Sequence, residues 1–223
     1  KTKKRDLLNR YIPLWSIVPL VTIMAVNCLI YWEAVRLQLA GITLIYDAFD
    51  REVPLLPVFV WFYILAFPFW AVGYLLAARR GKDMFYRFVA TDLTIHFICF
   101  ICFILIPTTN IRPEIQEIPF GKDSRSGNSL DGGNSPSNLF PSIHCYVSWM
   151  CWKGVEGSEK VPKWYQRFSL VFAILIIIST QVLKQHYIVD AAAALLLVEF
   201  FWRFYQKGQR HKWVVHVFAH KKK

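Results

Sequence analysis

Apolar residues along this chain gather into long runs separated by short polar segments. "IPLWSIVPLVTIMAVNCLIYW", Ile12 to Trp32, has roughly the 20-residue length that crosses hydrocarbon. Comparable runs predict six spans, near 12–32, 55–78, 86–107, 139–155, 166–185 and 187–206. The fourth is short and interrupted by polar residues. Between the first two, "EAVRLQLAGITLIYDAFDREVP" carries apolar residues at mixed spacing and predicts a short interfacial helix ending at Pro54. "GKDSRSGNSLDGGNSPSN", Gly121 to Asn138, is rich in Gly, Ser and Asn and predicts a loop. The fold class expected is an all-α polytopic membrane helix bundle, one domain over residues 1–223. Its core lies at 86–206, with basic tails at 1–11 and 207–223.

Composition agrees with that pattern. The 223 residues are 55% hydrophobic, 17% aromatic and only 18% charged, as in an integral membrane protein. The formal charge of +11 follows membrane topology and does not point to nucleic acid. All but six of the 26 Lys and Arg residues fall on one side of a six-span arrangement; the exceptions are Arg36, Arg51, Arg112, Lys122, Arg125 and Lys184. The positive-inside rule then puts both termini in the cytoplasm, and the loop with Arg112 and the entrance to His144 outside. An odd number of spans would shrink this asymmetry. "KTKKRDLLNR" before a full-length span reads as a signal anchor without a small-residue cleavage site. The absence of N-x-S/T sequons agrees with a bacterial plasma membrane. Five cysteines in or beside apolar segments make no disulfide framework, and Cys99-x-x-Cys102 has no second pair at zinc-site spacing.

Ionisable residues at the outward span ends carry the candidate chemistry. In "SNLFPSIHCYVSWM" His144 stands where a polar loop turns hydrophobic, and in "STQVLKQHYIVDAAAALLL" Lys184, His186 and Asp190 stand at the next outward turn. Charged groups at membrane depth are costly and tend to be functional. His186 and Asp190 are four residues apart, on one helix face, where the carboxylate can accept a ring N–H and fix the tautomer. The other ring nitrogen then becomes a directed nucleophile or base. A buried pair that merely joins two helices is the alternative reading. Arg112 and Lys184 beside two histidines favour a phosphate site. Ser142 reads as a helix N-cap, and such an N-terminus binds anions.

Arg112-Pro113, Pro141-Ser142-Ile143-His144, and Ser179 with His186 and Asp190 occur in order on one expected membrane side. Together they resemble the phosphatidic acid phosphatase type 2 superfamily of histidine-dependent phosphatases and phosphotransferases. Two positions depart from the family pattern: Leu105 stands for its first Lys, and Thr180 for its Arg. Ile143 likewise replaces the more usual glycine. "LKQHYIVD", Phe140 to Cys145 and "DAFDREVPLLP" are similar to the branch containing inositol phosphorylceramide synthases, in which Lys184 compensates for the lost cations.

The resemblance implies that His186 attacks phosphorus, Asp190 orients it, and His144 protonates the leaving group and then activates the acceptor. It implies that Arg112, Ser142 and Lys184 hold the phosphate oxygens, with no metal and no cofactor. The expected partners are a phospholipid or prenyl-phosphate substrate and the surrounding membrane lipids. Short loops and no extra domain favour a phosphatase acting on phosphatidic acid, a prenyl pyrophosphate or a similar lipid. A phosphotransferase moving a headgroup between lipids is the alternative, and a noncatalytic anion-binding membrane protein the third reading. Asp92 and His96, four apart inside the third span, are expected to be a packing pair. His211, His216 and His220 belong to a basic tail expected to be solvated or to bind headgroups. Lys122, Arg125 and Asp131 fall in the loop expected to be mobile.

Overall fold

The structure, a computed structural model, describes residues 13–37, 43–44, 48–109 and 139–218. Arg112, Lys122, Arg125 and Asp131 lie outside them, as does His220.

Each predicted span contains a helix. After a 3-10 turn at Leu14–Ser16 come α1 (Ile17–Arg36), the short α2 (Ala48–Glu52), α3 (Val60–Ala78) and α4 (Lys82–Leu105). Then follow α5 (Ile143–Val155), α6 (Lys163–Val182), α7 (Ile188–Gln206) and α8 (Lys212–Phe218). In hydrocarbon every backbone N–H and C=O needs an internal partner, so long apolar runs become helices. Among the described residues, three segments are long and apolar enough to cross a membrane: Pro57–Ala78, Lys82–Leu105 and Lys163–Val182. The others fall short for readable reasons. Among the described residues the apolar stretch of the first span runs only from Leu14 to Ile30, α5 has only 13 residues, and α7 carries Asp190, Glu199 and Arg203.

The shortest helix of the predicted spans is the hub. α5 packs against α3, α4, α6 and α7, while α1 and α8 both lie against α4. Most of α5 is buried, including Tyr146, Met150, Cys151 and Val155. Close approach of α3 depends on Gly73: a Cβ there would stand 2.7 Å from both Cβ and Sγ of Cys151. Outside, Trp61, Phe97, Leu196 and Phe200 are exposed, the apolar exterior that lipid requires.

The core also contains a polar network that sequence alone reads only as a pair. His96 Nδ1 lies 3.0 Å from Asp92 Oδ2, and neither side chain is exposed. Tyr74 donates to Asp92 Oδ1 at 2.5 Å, and the Tyr146 hydroxyl lies 2.6 Å from His96 Nε2. The packing pair therefore ties α3, α4 and α5 together.

Two expectations change. The interfacial helix before Pro54 is reduced, among the described residues, to the five residues of α2; nearby Thr43–Leu44 instead pairs in parallel with Thr108–Thr109. The C-terminal tail is not simply solvated. His211 is buried with Nε2 2.9 Å from Asp83 Oδ1, and Val214 is buried in the core. Apolar Val214 and the His211–Asp83 contact give α8 a docking face that a count of basic residues does not register.

Candidate active site

The site forms where the starts of α5 and α7 meet. Ser142 has extended backbone geometry (φ −70°, ψ 115°) and is the N-cap of α5; its Oγ accepts the Cys145 N–H at 3.3 Å. Its own N–H donates to the Asp190 carbonyl at 3.2 Å, tying the two helix starts together. Ile143 and His144 occupy the first helical positions, whose N–H groups have no acceptor within the helix. A second tie comes from Thr108, whose Oγ1 accepts the Phe140 N–H at 3.1 Å.

His186 is delivered by the α6–α7 turn. Lys184 adopts a left-handed backbone (φ 53°), so the chain curls back and the Gln185 and His186 N–H groups both donate to the Thr180 carbonyl, at 2.9 and 3.1 Å. His186 is buried, with Nδ1 3.3 Å from Asp190 Oδ2. The same oxygen accepts the Tyr187 N–H at 3.0 Å, so the carboxylate is held at the first turn of α7. A carboxylate so placed selects the tautomer with the proton on Nδ1, leaving Nε2 as the lone-pair nitrogen.

His144 lies beside this pair, its ring centroid 6.0 Å from that of His186. Its Nε2 is buried and meets no hydrogen-bond partner among the described residues. Tyr63 stacks on the ring at 4.6 Å, and Trp70 meets it edge-on at 5.2 Å.

The remaining expected residues divide. Ser142 is at the site. Lys184 is in its turn, with Nζ donating to the Asp50 carbonyl at 2.7 Å. Asp50 itself is buried, and its Oδ1 accepts the Ile188 N–H at 3.0 Å. Sequence reasoning noted its segment but not this role; nothing local marks a contact to residues more than a hundred positions away. Thr180, at the position of the family's Arg, is buried with its hydroxyl on the Ile177 carbonyl at 2.7 Å. Tyr63 and Trp70 were also missed, since a chain so rich in aromatics offers no signal for two of them.

Residues 29–203 match the family model of the PAP2 superfamily. No curated protein and no solved structure matches the chain. The match covers well over half of the sequence, and the chain belongs to the PAP2 superfamily, whose members are phosphatases or phosphotransferases.

Proposed function

We propose that this PAP2-superfamily chain is an integral membrane phosphatase that hydrolyses a lipid phosphate through a phosphohistidine. The observation that carries the reading is the pair of facing imidazoles, 6.0 Å apart, with a carboxylate behind one and, on the other, a buried Nε2 that has no partner among the described residues. A merely structural His–Asp pair needs no second imidazole, and a simple anion-binding site needs no nucleophile.

His186 Nε2 attacks phosphorus, forming an N–P bond as the bond to the lipid oxygen breaks. His144 delivers its proton to that leaving oxygen. In the second half, water attacks phosphorus, His144 takes its proton, and the N–P bond breaks to release phosphate and restore His186. Asp190 stabilises the positive charge that develops on His186. The first-turn N–H groups behind Ser142, with Arg112 and Lys184, hold the non-bridging oxygens as charge redistributes.

Phosphatidic acid, a prenyl pyrophosphate or a related lipid fits a site at the end of a helix bundle. The Lys and Arg asymmetry supports six spans in the plasma membrane, cytoplasmic termini and an outward-facing site. Headgroup transfer differs only in the acceptor, a lipid alcohol in place of water. The test supplies the purified protein with a panel of lipid phosphates, with and without diacylglycerol or ceramide. Free phosphate released without acceptor is expected; strictly acceptor-dependent transfer would replace hydrolysis by the transferase reading.

A further inference from the structure

We infer that Tyr63 is a positioning residue for His144, holding the plane of the imidazole that donates the proton. The inference rests on the role of His144 proposed above. Among the ring contacts of His144 with the described residues, Tyr63 alone is a close parallel stack, 4.6 Å between centroids with planes 18° apart. Trp70 and Phe67 meet the same ring edge-on, at 5.2 Å and 61°, and at 6.2 Å and 81°.

Tyr63, Phe67 and Trp70 stand at i, i+4 and i+7 on α3, so a single helix face presents all three to His144. That face is anchored to the helix carrying the histidine. Trp70 Nε1–H donates to Ser148 Oγ at 2.8 Å, and Ser148 is one turn beyond His144 on α5. Aromatic residues make up 17% of the chain, so some ring contact to any buried histidine is expected from composition. A parallel stack within a helix-spaced, hydrogen-bond-anchored stripe is a more specific arrangement. Stacking holds the ring plane without occupying a ring nitrogen, which leaves Nε2 for proton transfer. The negative face of the phenol ring also favours the imidazolium that forms whenever His144 carries the extra proton.

The test compares Tyr63→Leu and Tyr63→Phe in the purified full chain, with phosphate release from a lipid phosphate as readout. Misplacing a catalytic group by about 1 Å can cost on the order of 100-fold. Tyr63→Leu is therefore expected to lower kcat by about 10- to 100-fold with little change in KM. Tyr63→Phe, which keeps the ring face, is expected to restore most of kcat. Phe69→Leu serves as the packing control, since Phe69 is buried against Phe168 and Phe172 and touches no site residue among its ring contacts. It should lower Tm and leave kcat unchanged. Full kcat in Tyr63→Leu, or equal loss in Tyr63→Phe, overturns the inference. Should Tyr63→Leu not fold, Tyr63→Met, which fills volume without a ring face, is read against the same criteria. His144→Ala separates the two levels: full turnover there sinks the proton-donor role itself, whereas its loss beside an active Tyr63→Leu sinks only the positioning.

Discussion

Asp190 Oδ2 receives two hydrogen bonds from its own helix start, one from Tyr187 N–H at 3.0 Å and one from His186 Nδ1 at 3.3 Å. A single oxygen thus caps α7 and orients the proposed nucleophile, so the backbone that builds the helix also sets the direction of the imidazole. The capping role and the chemical role can be separated by substitution.

Asp190→Asn keeps an acceptor oxygen for the Tyr187 N–H but cannot carry the charge that opposes an imidazolium. The protein is expected to fold with nearly unchanged Tm while kcat falls on the order of 10³–10⁴-fold. Thermal melting in detergent and phosphate release measure the two effects. A large Tm loss with proportionate activity loss would return Asp190 to a structural role.

The two histidines should differ in a trapping experiment. A nitrophenyl phosphate has a leaving group that needs no proton, so His144→Ala should still be phosphorylated by it and then hydrolyse slowly. Alkali-stable label from the ³²P compound is expected to accumulate on His144→Ala and to be absent from His186→Ala. Label on His186→Ala would assign the nucleophile elsewhere.

Ser142→Ala removes the Oγ that accepts Cys145 N–H. Loss of an N-cap costs about 1 kcal/mol, so a modest fall in Tm is expected. The same change loosens the first turn of α5, where phosphate oxygens are proposed to bind, and KM should rise. An unchanged KM with the expected Tm loss would leave Ser142 a cap alone.

Tyr74→Phe tests the core network. It deletes the donor to Asp92 Oδ1 and leaves a buried carboxylate oxygen short of a partner. Such losses cost about 1–3 kcal/mol, to be read as a lower Tm with kcat preserved at temperatures where the protein stays folded. Selective loss of kcat would instead couple this network to the chemistry.

Orientation is testable by labelling. In intact cells a membrane-impermeant maleimide should react with Ser126→Cys, in the segment before α5, and not with Lys160→Cys, between α5 and α6. The reverse pattern would invert the proposed topology.

The helices were legible because hydrocarbon leaves the backbone so few options. Long runs such as Phe59 to Ala78 can satisfy their polar groups only as helices, and local composition suffices to find them. Even the short α5 was placed, since Ser142 before an apolar stretch is a local start signal. His186 and Asp190 were legible as a pair four residues apart, but His186 stands in the turn before α7 rather than on its helix face, and only the Asp190 carboxylate lies in the first turn. Less was readable where partners come from other helices. Asp92 and His96 were seen as a pair, but Tyr74 and Tyr146, which complete their network, have no fixed spacing to them. Likewise a basic tail hid the buried contact of His211 with Asp83.

By itself the sequence determined the membrane class, the helices and the order of the histidine motifs, all properties of local pattern and composition. The tertiary structure decided that His144 meets His186, that Tyr63 stacks upon it, and that Asp50 reaches Lys184 from 134 residues away. Such contacts depend on how helix faces pack, and packing complementarity between distant segments leaves no period in a linear chain.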